Sequence, residues 1–387
     1  MQKIILFDDA DVRANLLPLT YTRPVGAIRV GITTLAEKWH PFIEGDYGWA
    51  PAADYLQEIF PSPEQDESTL HIAGHVVAGK DIAAAIAALT VKQALVDADG
   101  RLIAWRGSEP AEKIAYTGDV VTVEHLYDIF QLNAKALADD FAILTAGMKS
   151  LPLSPTNTVI GDPSLVFISE GATVEGSFLN TTAGPVYIGP DAEVMEGSML
   201  RGPVAVCRHA VVNMGTKIYP GTTIGPWCKV GGELNNVVMQ AYSNKAHDGF
   251  LGNAVIGEWC NLGAGCVASN LKNDYTPIRL WNYPSGRFLR TGLQFCGLIM
   301  GDHSKAGINT MFNTATVLGV GVNIHGAGFP RNFVPSFSEG STAGFSDVSM
   351  TKFFEIARRM MARRHVELTP AHERMFYAIR EAAEAFK

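Results

Sequence analysis

The sequence predicts an α/β domain over residues 1–150, a left-handed parallel β-helix of hexapeptide repeats over 151–345, and a helical tail over 346–387. Three observations support this division. Short apolar runs alternate with helical patterns in the first block. From Val159 to Ala327 an aliphatic residue followed by a small one recurs about every six residues. The tail carries methionine and phenylalanine at helical spacing.

The first block contains short apolar segments of strand type and two segments with helical spacing. We expect strands at Lys3–Phe7, Leu70–Val77 and Val120–Val123, and helices at Ile32–Trp39 and Ala83–Leu89. Such an alternation of strands and helices is typical of an α/β domain.

The hexapeptide pattern begins after a linker marked by two prolines within residues 152–157. Ile188-Gly189-Pro190 and Ile224-Gly225-Pro226 are representative starts of the repeat. Each unit supplies one short strand and a turn, with the aliphatic residue inside a triangular prism and small residues at the corners. About three units close one coil. An antiparallel sandwich would need period-two alternation and hairpin turns, which this segment does not show.

Helical patterns flank the repeats on both sides. Leu126–Phe141 predicts a helix that bridges the two halves. In the tail, apolar residues at helical spacing run from Met350 to Met361, and Thr369-Pro370 is typical of a helix start. We expect the tail to cover the open end or side of the solenoid, or a neighbouring subunit.

Composition excludes several classes of protein. The chain is 47% hydrophobic and 18% charged, with a formal net charge of −8, which argues against a nucleic-acid partner. We assign the short basic run of residues 358–364 to contacts with water, acidic neighbours or another subunit. Five dispersed cysteines form no Cys-x-x-Cys pair, so a zinc knuckle is not expected. Without a secretory signal or an apolar run of membrane-spanning length, we expect a cytoplasmic protein.

The six-residue pattern is interrupted at residues 240–252 and again at 269–292. A stacked β-helix accommodates insertions at its corners, and function tends to lie in such departures from the repeat. The first interruption carries His247, with Lys245 and Asp248 nearby. We therefore predict that His247 lies on a projecting loop and is the first candidate for chemistry.

Four segments around this histidine carry a pattern: Asn244–His247, Leu251–Gly257, Asn261–Gly265 and Ser269-Asn270. The pattern resembles the acetyltransferase half of the bifunctional enzymes that make UDP-N-acetylglucosamine. Those enzymes join an N-acetylglucosamine-1-phosphate uridylyltransferase to a glucosamine-1-phosphate N-acetyltransferase. A shorter, divergent bacterial branch of the family resembles the chain along nearly its full length. Further matching segments are Leu16–Thr20, Thr22–Pro24 and Gly301–Lys305.

The resemblance implies transfer of an acetyl group from acetyl-CoA to the amine of an amino-sugar 1-phosphate. A histidine, with an ordinary pKa near about 6.5, can accept the proton of that amine during attack. His247 matches the family's general base. Asn261 and Asn270 match positions that hold the amino sugar and orient the thioester, roles that suit amides because they donate and accept without changing charge.

Three cations are candidates for binding the sugar phosphate: Lys245, Lys217 and Arg201. The chain also departs from the family pattern at three positions. Phe250 replaces a tyrosine, Tyr219 replaces a phosphate-binding arginine, and Ile308 replaces a serine. These changes leave acyl transfer plausible and leave the identity of the acceptor open.

The N-terminal block resembles the nucleotidyltransferase half of the family less closely. Its candidates for nucleotide or phosphate binding are Arg13, Arg23 and Lys38. The glycines of the phosphate loop are absent, and Asp8-Asp9-Ala10-Asp11 stands in their place. Gly74-His75 is the nearest match to the family's Gly-Asp metal ligand, so the metal ligands remain unassigned. If this half is active, it requires Mg²⁺ and UTP or another nucleoside triphosphate.

The expected function is N-acetyl transfer from acetyl-CoA to an amino-sugar 1-phosphate, and glucosamine 1-phosphate is the leading candidate for the acceptor. The resemblance also implies a homotrimer that holds acyl-CoA between neighbouring prisms. Coupled nucleotidyl transfer would give UDP-N-acetylglucosamine or a related nucleotide sugar. Two alternatives stay open: nucleotidyl transfer as the main activity, and a non-catalytic scaffold that binds sugar nucleotides. A metal site like that of γ-class carbonic anhydrases is disfavoured, because the solenoid histidines lack the His-x-x-x-x-His spacing of that class. Those histidines are His209, His247, His303 and His325.

Overall fold

A computed structural model describes residues 2–387 and divides the chain into two units. The first unit comprises the chain up to residue 28, residues 33–126 and residues 370–378. The second unit comprises residues 29–32, 127–369 and 379–387.

The first unit is built on a six-stranded mixed sheet. Across the sheet, the strands are Asp46–Ala50, Lys3–Phe7, Leu70–Ala73, Leu102–Arg106, Gln93–Val96 and Glu112–Ala115. Leu102–Arg106 runs antiparallel to both of its neighbours, and the other pairs are parallel. The α-helices are Ala10–Asn15 and Lys80–Ala87, and single 3₁₀ turns lie at Leu19–Tyr21, Val25–Ala27, Glu37–Trp39 and Asp54–Leu56. The predicted α/β block is therefore present.

Two predictions for local structure in this part of the chain were wrong. Ile32–Trp39 forms no α-helix beyond the 3₁₀ turn at its end. The backbone N–H of Ile32 donates to Asp140 Oδ2 at 2.8 Å, so a tertiary contact holds the start of this segment. The strand expected at Val120–Val123 is reduced to one isolated bridge between Val76 and Thr122.

The second unit contains the β-helix. Its short parallel strands form three faces, which we call the first, second and third face in chain order. The first face comprises Thr158–Ile160, Phe178–Asn180, Met199–Arg201, Lys217–Ile218, the beginnings of Glu233–Met239 and Phe250–Ile256, Val267–Ala268 and Met311–Phe312. The second comprises Val166–Ile168, Val186–Ile188, Val204–Val206, Thr222–Ile224, the ends of the two long strands, Ile299–Met300, Val317–Leu318 and Phe333–Val334. The third comprises Thr173–Val174, Glu193–Val194, Val211–Val212, Lys229–Val230, Asn244–Lys245, Asn261–Leu262, Lys305–Ala306, Asn323–Ile324 and Ser338–Ser341, the last paired antiparallel with Gly344–Asp347.

In most strands one aliphatic side chain fills the prism, as the hexapeptide pattern predicts. On the third face Val194, Val212 and Val230 are inward and at most 1% exposed. Burial of each such side chain contributes roughly 1.5–3 kcal/mol. The architecture is a left-handed parallel β-helix, and the predicted fold class is confirmed.

The coil that ends at Lys245 is shortened, but the loss lies ahead of the predicted interruption at 240–252. The inward residues Val230, Leu234 and Met239 are four and five residues apart, whereas Met239, Lys245 and Leu251 are six residues apart. No residues are inserted at 240–252, so the prediction of a projecting insertion was wrong. Val212 pairs with Val230, 18 residues later, whereas Val230 pairs with Lys245, only 15 residues later. The strand Asn244–Lys245 keeps its place between neighbouring coils. Loss of corner residues hides the six-residue period in the sequence just as an insertion would.

The second interruption is a true excursion. Between Val267–Ala268 and Ile299–Met300 the chain leaves the prism and forms a hairpin of Arg279–Asn282 with Arg287–Arg290. Trp281 of this hairpin stacks on Phe333 with a centroid distance of 4.0 Å. The departure expected from the sequence at residues 269–292 is confirmed.

Three α-helices complete the chain: Asp128–Leu144, Met350–Ala362 and Pro370–Ala383, followed by the 3₁₀ turn Glu384–Phe386. A further 3₁₀ turn lies at Pro163–Leu165. Leu137 and Phe141 of the first helix pack against Phe167 and Cys207 outside the second face. Within residues 2–387 no helix has both the length and the apolar character required to cross a lipid bilayer.

Candidate active site

Four polar side chains form a row along the outside of the third face. Lys229 pairs with Asn244, Asn244 with Asn261, and Asn261 with Lys305, each one coil further along the solenoid. Side chains alternate between the two sides of a strand, so the next residue of each strand points into the prism. The row therefore presents amides flanked by ammonium groups on a rigid backbone.

His247 lies at the corner that follows the strand Asn244–Lys245 and is exposed. It lines a cleft of about 620 Å³ together with Lys229, Asn244, Asn261 and Lys305. The corner is fixed to an earlier coil, since Asn213 Nδ2 donates to the carbonyl of Ala246 at 2.7 Å. The structure thus brings together His247 and Asn261, two of the residues predicted from the sequence.

The opposite wall of the cleft comes from the end of helix Met350–Ala362 and the residues after it. Arg359, Arg363 and Arg364 line the cleft there. The guanidinium of Arg364 lies over the Trp227 ring, 5.8 Å from its centroid, and its Nε is buried without a hydrogen-bond partner. The sequence-based assignment of this basic run to water, acidic neighbours or another subunit missed this placement.

A column of aromatic side chains at one corner supports the helix. Trp227, Tyr242, Trp259 and His303, which we call the corner column, each lie three residues before the inward residue of a third-face strand. All four have left-handed backbone conformation, with φ between 56° and 61°. Tyr242 and Trp259 stack with a centroid distance of 4.1 Å. Phe353 of the helix meets His303 at 5.5 Å, so the helix covers the side of the solenoid.

Among the cations that line the cleft, Lys305 has the pKa that burial changes most. Burial lowers the pKa of Lys305 to about 8, and its Nζ donates to the carbonyl of His303 at 2.9 Å. Lys305 and Lys229 were not singled out as site residues by the sequence, because a lone lysine on a solenoid strand is usually solvated. Alignment of the coils on their inward residues would have placed both in one row with Asn244 and Asn261.

Lys245 is not available to a ligand in the cleft. It occupies the inward position, is 1% exposed, and pairs with Val230 of the preceding coil. Its Nζ donates to the carbonyls of Gly231 and His247 at 2.9 and 2.6 Å. Burial lowers its pKa to about 8. The placement does not support the expectation that Lys245 contacts a sugar phosphate.

The other cations expected to bind the sugar phosphate lie elsewhere on the prism. Arg201 and Lys217 line a separate groove of about 320 Å³ on the first face, beside Phe178, Met199 and Tyr219. The groove is largely apolar, with Phe178 47% exposed. It presents a surface different in character from the polar cleft at His247.

Asn270, the second predicted amide, begins the excursion after the first face. Its Nδ2 donates to Asn253 Oδ1 at 2.8 Å. Of the family departures, Ile308 is 72% exposed and lines the His247 cleft, while Phe250 begins the strand after the histidine. An apolar side chain therefore stands at the cleft where the family has a serine.

The predicted phosphate-binding cations of the first unit are largely buried. Arg13 Nη2 donates to the hydroxyl of Tyr55 at 2.8 Å. Arg23 is 4% exposed, and Lys38 is 6% exposed with Nζ donating to Thr33 Oγ1 at 3.2 Å. Arg23 and Lys38 would need to move before they could reach a nucleotide.

The acidic segment of the first unit serves the backbone. Asp9 caps helix Ala10–Asn15, accepting from the backbone N–H groups of the first turn. Asp8 accepts from the backbone N–H of Val25 at 2.8 Å and of Ala52 at 3.2 Å. Burial raises the pKa of Asp8 to about 6, partly offset by these two hydrogen bonds.

A divalent cation requires several free oxygen ligands. Within the described chain, residues 2–387, no group of three or more His, Cys, Asp or Glu side chains is arranged to hold a metal ion. The Asp8 and Asp9 carboxylates accept hydrogen bonds from backbone N–H groups, Asp9 through Oδ1.

Comparison with known proteins found sequences similar to parts of this chain. Residues 4–149 match the model of a family described as sugar nucleotidyl transferase. The chain is also 25% identical over 243 residues to the bifunctional protein GlmU of Paenarthrobacter aurescens, covering 57% of this chain and 44% of that protein. The chain is thus similar in sequence to GlmU over part of its length.

Two further proteins match shorter stretches of the chain. A bifunctional sugar-1-phosphate nucleotidylyltransferase/acetyltransferase of Sulfurisphaera tokodaii is 27% identical over 164 residues, 42% of this chain and 40% of the relative. The uncharacterised acetyltransferase YaiX of Escherichia coli is 28% identical over 135 residues, 34% of this chain and 58% of the relative. The chain spans about half the length of the curated relatives it matches.

Among solved structures, the UDP-N-acetylglucosamine acyltransferase of Francisella novicida aligns with 58% of this chain and 78% of its own. The identity is 14% and the TM-score 0.22.

Proposed function

We propose that this chain transfers the acetyl group of acetyl-CoA to the amine of an amino-sugar 1-phosphate, with glucosamine 1-phosphate as the first acceptor to test. One observation carries the proposal. An exposed histidine, His247, stands at a cleft whose floor is a row of amides and lysines and whose far wall holds three arginines. Acyl transfer from a phosphorylated thioester needs a base and phosphate-binding cations, and this cleft holds both kinds of group.

The bond changes of the reaction balance within this site. The sugar amine attacks the thioester carbonyl carbon, and the N–H proton passes to the His247 imidazole as the N–C bond forms. The C–S bond then breaks, and the imidazolium returns the proton to the CoA thiolate. The amide N–H groups of Asn244 and Asn261 can donate to the oxygen on which negative charge develops.

The cations suit the phosphate groups of CoA. Guanidinium groups bind phosphates through paired, charge-assisted hydrogen bonds. Arg364 is already oriented by Trp227, which lowers the entropy lost on binding. We assign Arg359, Arg363 and Arg364 to these phosphates.

An acceptor screen tests the proposal. Purified protein is mixed with acetyl-CoA and a panel of amino-sugar phosphates, and release of the CoA thiol is followed. His247→Ala should lower turnover by about 10²-fold or more, the range expected for loss of a general base. His325→Ala is the matched control, an exposed histidine at the same prism edge beyond the cleft, and should leave turnover unchanged. Equal rates for the wild type and His247→Ala would refute the assignment.

Nucleotidyl transfer is a second candidate, favoured by the family match of residues 4–149. Pyrophosphate release with each nucleoside triphosphate and a sugar 1-phosphate, measured beside the thiol assay, tests it. Pyrophosphate release that depends on Mg²⁺ would support this activity, and no release with any nucleoside triphosphate would contradict it. Release that His247→Ala leaves intact would assign this activity to the first unit.

We further propose a homotrimer, with acyl-CoA between neighbouring prisms, on the basis of the similarity to GlmU. Light scattering coupled to size-exclusion chromatography measures the mass. A monomeric mass at the concentration used in the activity assay would contradict this assembly.

A further inference from the structure

A lysine replaces an aliphatic residue inside the prism at one coil of the third face. The inward residues on either side of Lys245 are Val230 in the preceding coil and Leu262 in the next. Val230 is 0% exposed and Leu262 is 2% exposed, and Lys245 itself is 1% exposed. The column is otherwise packed by apolar side chains, so stability alone does not explain a cation there.

The ammonium of Lys245 joins two coils at the corner that carries the catalytic histidine. It donates to the carbonyl of Gly231, which belongs to the preceding coil, and to the carbonyl of His247 in its own coil. Those distances are 2.9 and 2.6 Å. A hydrogen bond from a charged donor is stronger than a neutral one, and this pair fixes the peptide plane that follows the His247 side chain.

The corner of the preceding coil, from Val230 to Leu234, is two residues shorter than the corner that carries His247, from Lys245 to Leu251. Gly231 and Gly249 lie at these two corners, and no side chain fits at either position. A Cβ at Gly231 would lie 2.4 Å from the Ala246 carbonyl oxygen, and one at Gly249 would lie 2.0 Å from the Cys266 carbonyl oxygen. The backbones of successive coils meet directly here, and the corner has only polar groups to hold it.

We propose that Lys245 is a positioning residue, which acts through the backbone of His247 to set the imidazole for proton transfer. The inference rests on the proposed acetyl transfer, in which His247 is the base. Lys245 itself touches no substrate, since its side chain lies inside the prism. An aliphatic residue at position 245 would keep the inward column packed. It would not hold the corner, because it cannot donate to the carbonyls of Gly231 and His247.

Lys245→Met tests the proposal, with Leu262→Met as the matched control, since it introduces the same side chain one coil further along the column. We expect kcat of Lys245→Met to fall at least tenfold while KM for acetyl-CoA changes less than threefold. The backbone amides of Glu233 and Gly265 donate to the carbonyls of Gly249 and Asp248 at this corner, each at 2.9 Å, and their exchange with deuterium should become at least tenfold faster. Leu262→Met should leave both quantities near the wild-type values.

A second variant separates positioning from packing. Lys245→Gln keeps a hydrogen-bond donor on a shorter chain and should recover part of the amide protection and of kcat. If Lys245→Met does not fold, Lys245→Gln replaces it as the test variant. Wild-type exchange at the amides of Glu233 and Gly265 in a folded Lys245→Met protein would overturn the proposal, whatever happens to turnover. Faster exchange together with a wild-type protein that shows no acetyl transfer would refute the proposed function alone.

Discussion

Arg364 offers the sharpest test of the assignment of the cleft to acyl-CoA. Its guanidinium is held over Trp227 and its buried Nε has no hydrogen-bond partner, so the group is oriented before a ligand arrives. A hydrogen bond to a charged group contributes about 1.5–3 kcal/mol. Loss of it in Arg364→Ala should weaken binding of CoA by roughly 10- to 150-fold.

Arg359 should contribute less. Its side chain is 77% exposed and pairs with Glu355 at 3.4 Å. An exposed ion pair contributes about 1 kcal/mol or less, so Arg359→Ala should weaken CoA binding by at most about fivefold, and less at high salt. Arg358→Ala is the control, because Arg358 lies over Phe354, with 5.9 Å between its guanidinium and the ring centroid, rather than among the residues lining the cleft.

Isothermal titration calorimetry with CoA measures these effects without depending on turnover. Acetyl-pantetheine, which carries the thioester without the adenosine phosphates, is the matched ligand. Arg364→Ala should leave the affinity for acetyl-pantetheine unchanged. Equal loss of affinity for both ligands, or loss for neither, would refute the assignment of this arginine to phosphate.

Two further predictions concern stability. Gly249→Ala should lower the free energy of unfolding by several kcal/mol, because φ is +131° and the new Cβ would lie 2.0 Å from the Cys266 carbonyl oxygen. Gly215→Ala is the control: a Cβ there meets nothing within 4 Å, so the loss measured by urea titration should be only about 1 kcal/mol. Burial lowers the pKa of His71, which stacks on Trp105 at 4.3 Å, to about 4. Below pH 6.5 the unfolded state binds the proton that folded His71 resists, so the wild type should lose up to about 3 kcal/mol relative to His71→Phe between pH 6.5 and 4. A constant difference between these two proteins over that range would contradict the low pKa.

The six-residue pattern predicts the prism well because it records burial, one inward aliphatic residue per strand. It does not predict which residues of the next strand point inward once a corner has lost residues. Lys245 illustrates the limit, since only pairing with Val230 shows that the lysine points inward. Read from the sequence alone, a polar residue among polar neighbours indicates a surface loop.

The far wall of the cleft is a tertiary feature that local patterns cannot contain. Arg364 lies more than a hundred residues from His247 in the chain. The apolar spacing of the helix before Arg364 predicts only that the helix covers some apolar surface, without saying which one. Contacts of Phe353 with His303 and of Arg364 with Trp227 set where the helix lies. The motif around His247 predicted two residues that line the cleft, His247 and Asn261, because they lie close together in the sequence.

The position of His247 in a paired coil has a consequence for the thermodynamics of each turnover. A projecting loop would have to be ordered whenever substrate binds, at a cost of roughly 1–2 kcal/mol for each residue immobilised. His247 instead belongs to a coil whose strand is paired on both sides, so that ordering is completed once, during folding. The histidine should therefore show the slow, small-amplitude motion of the scaffold both with and without ligand, and substrate binding energy need not be spent on arranging the base.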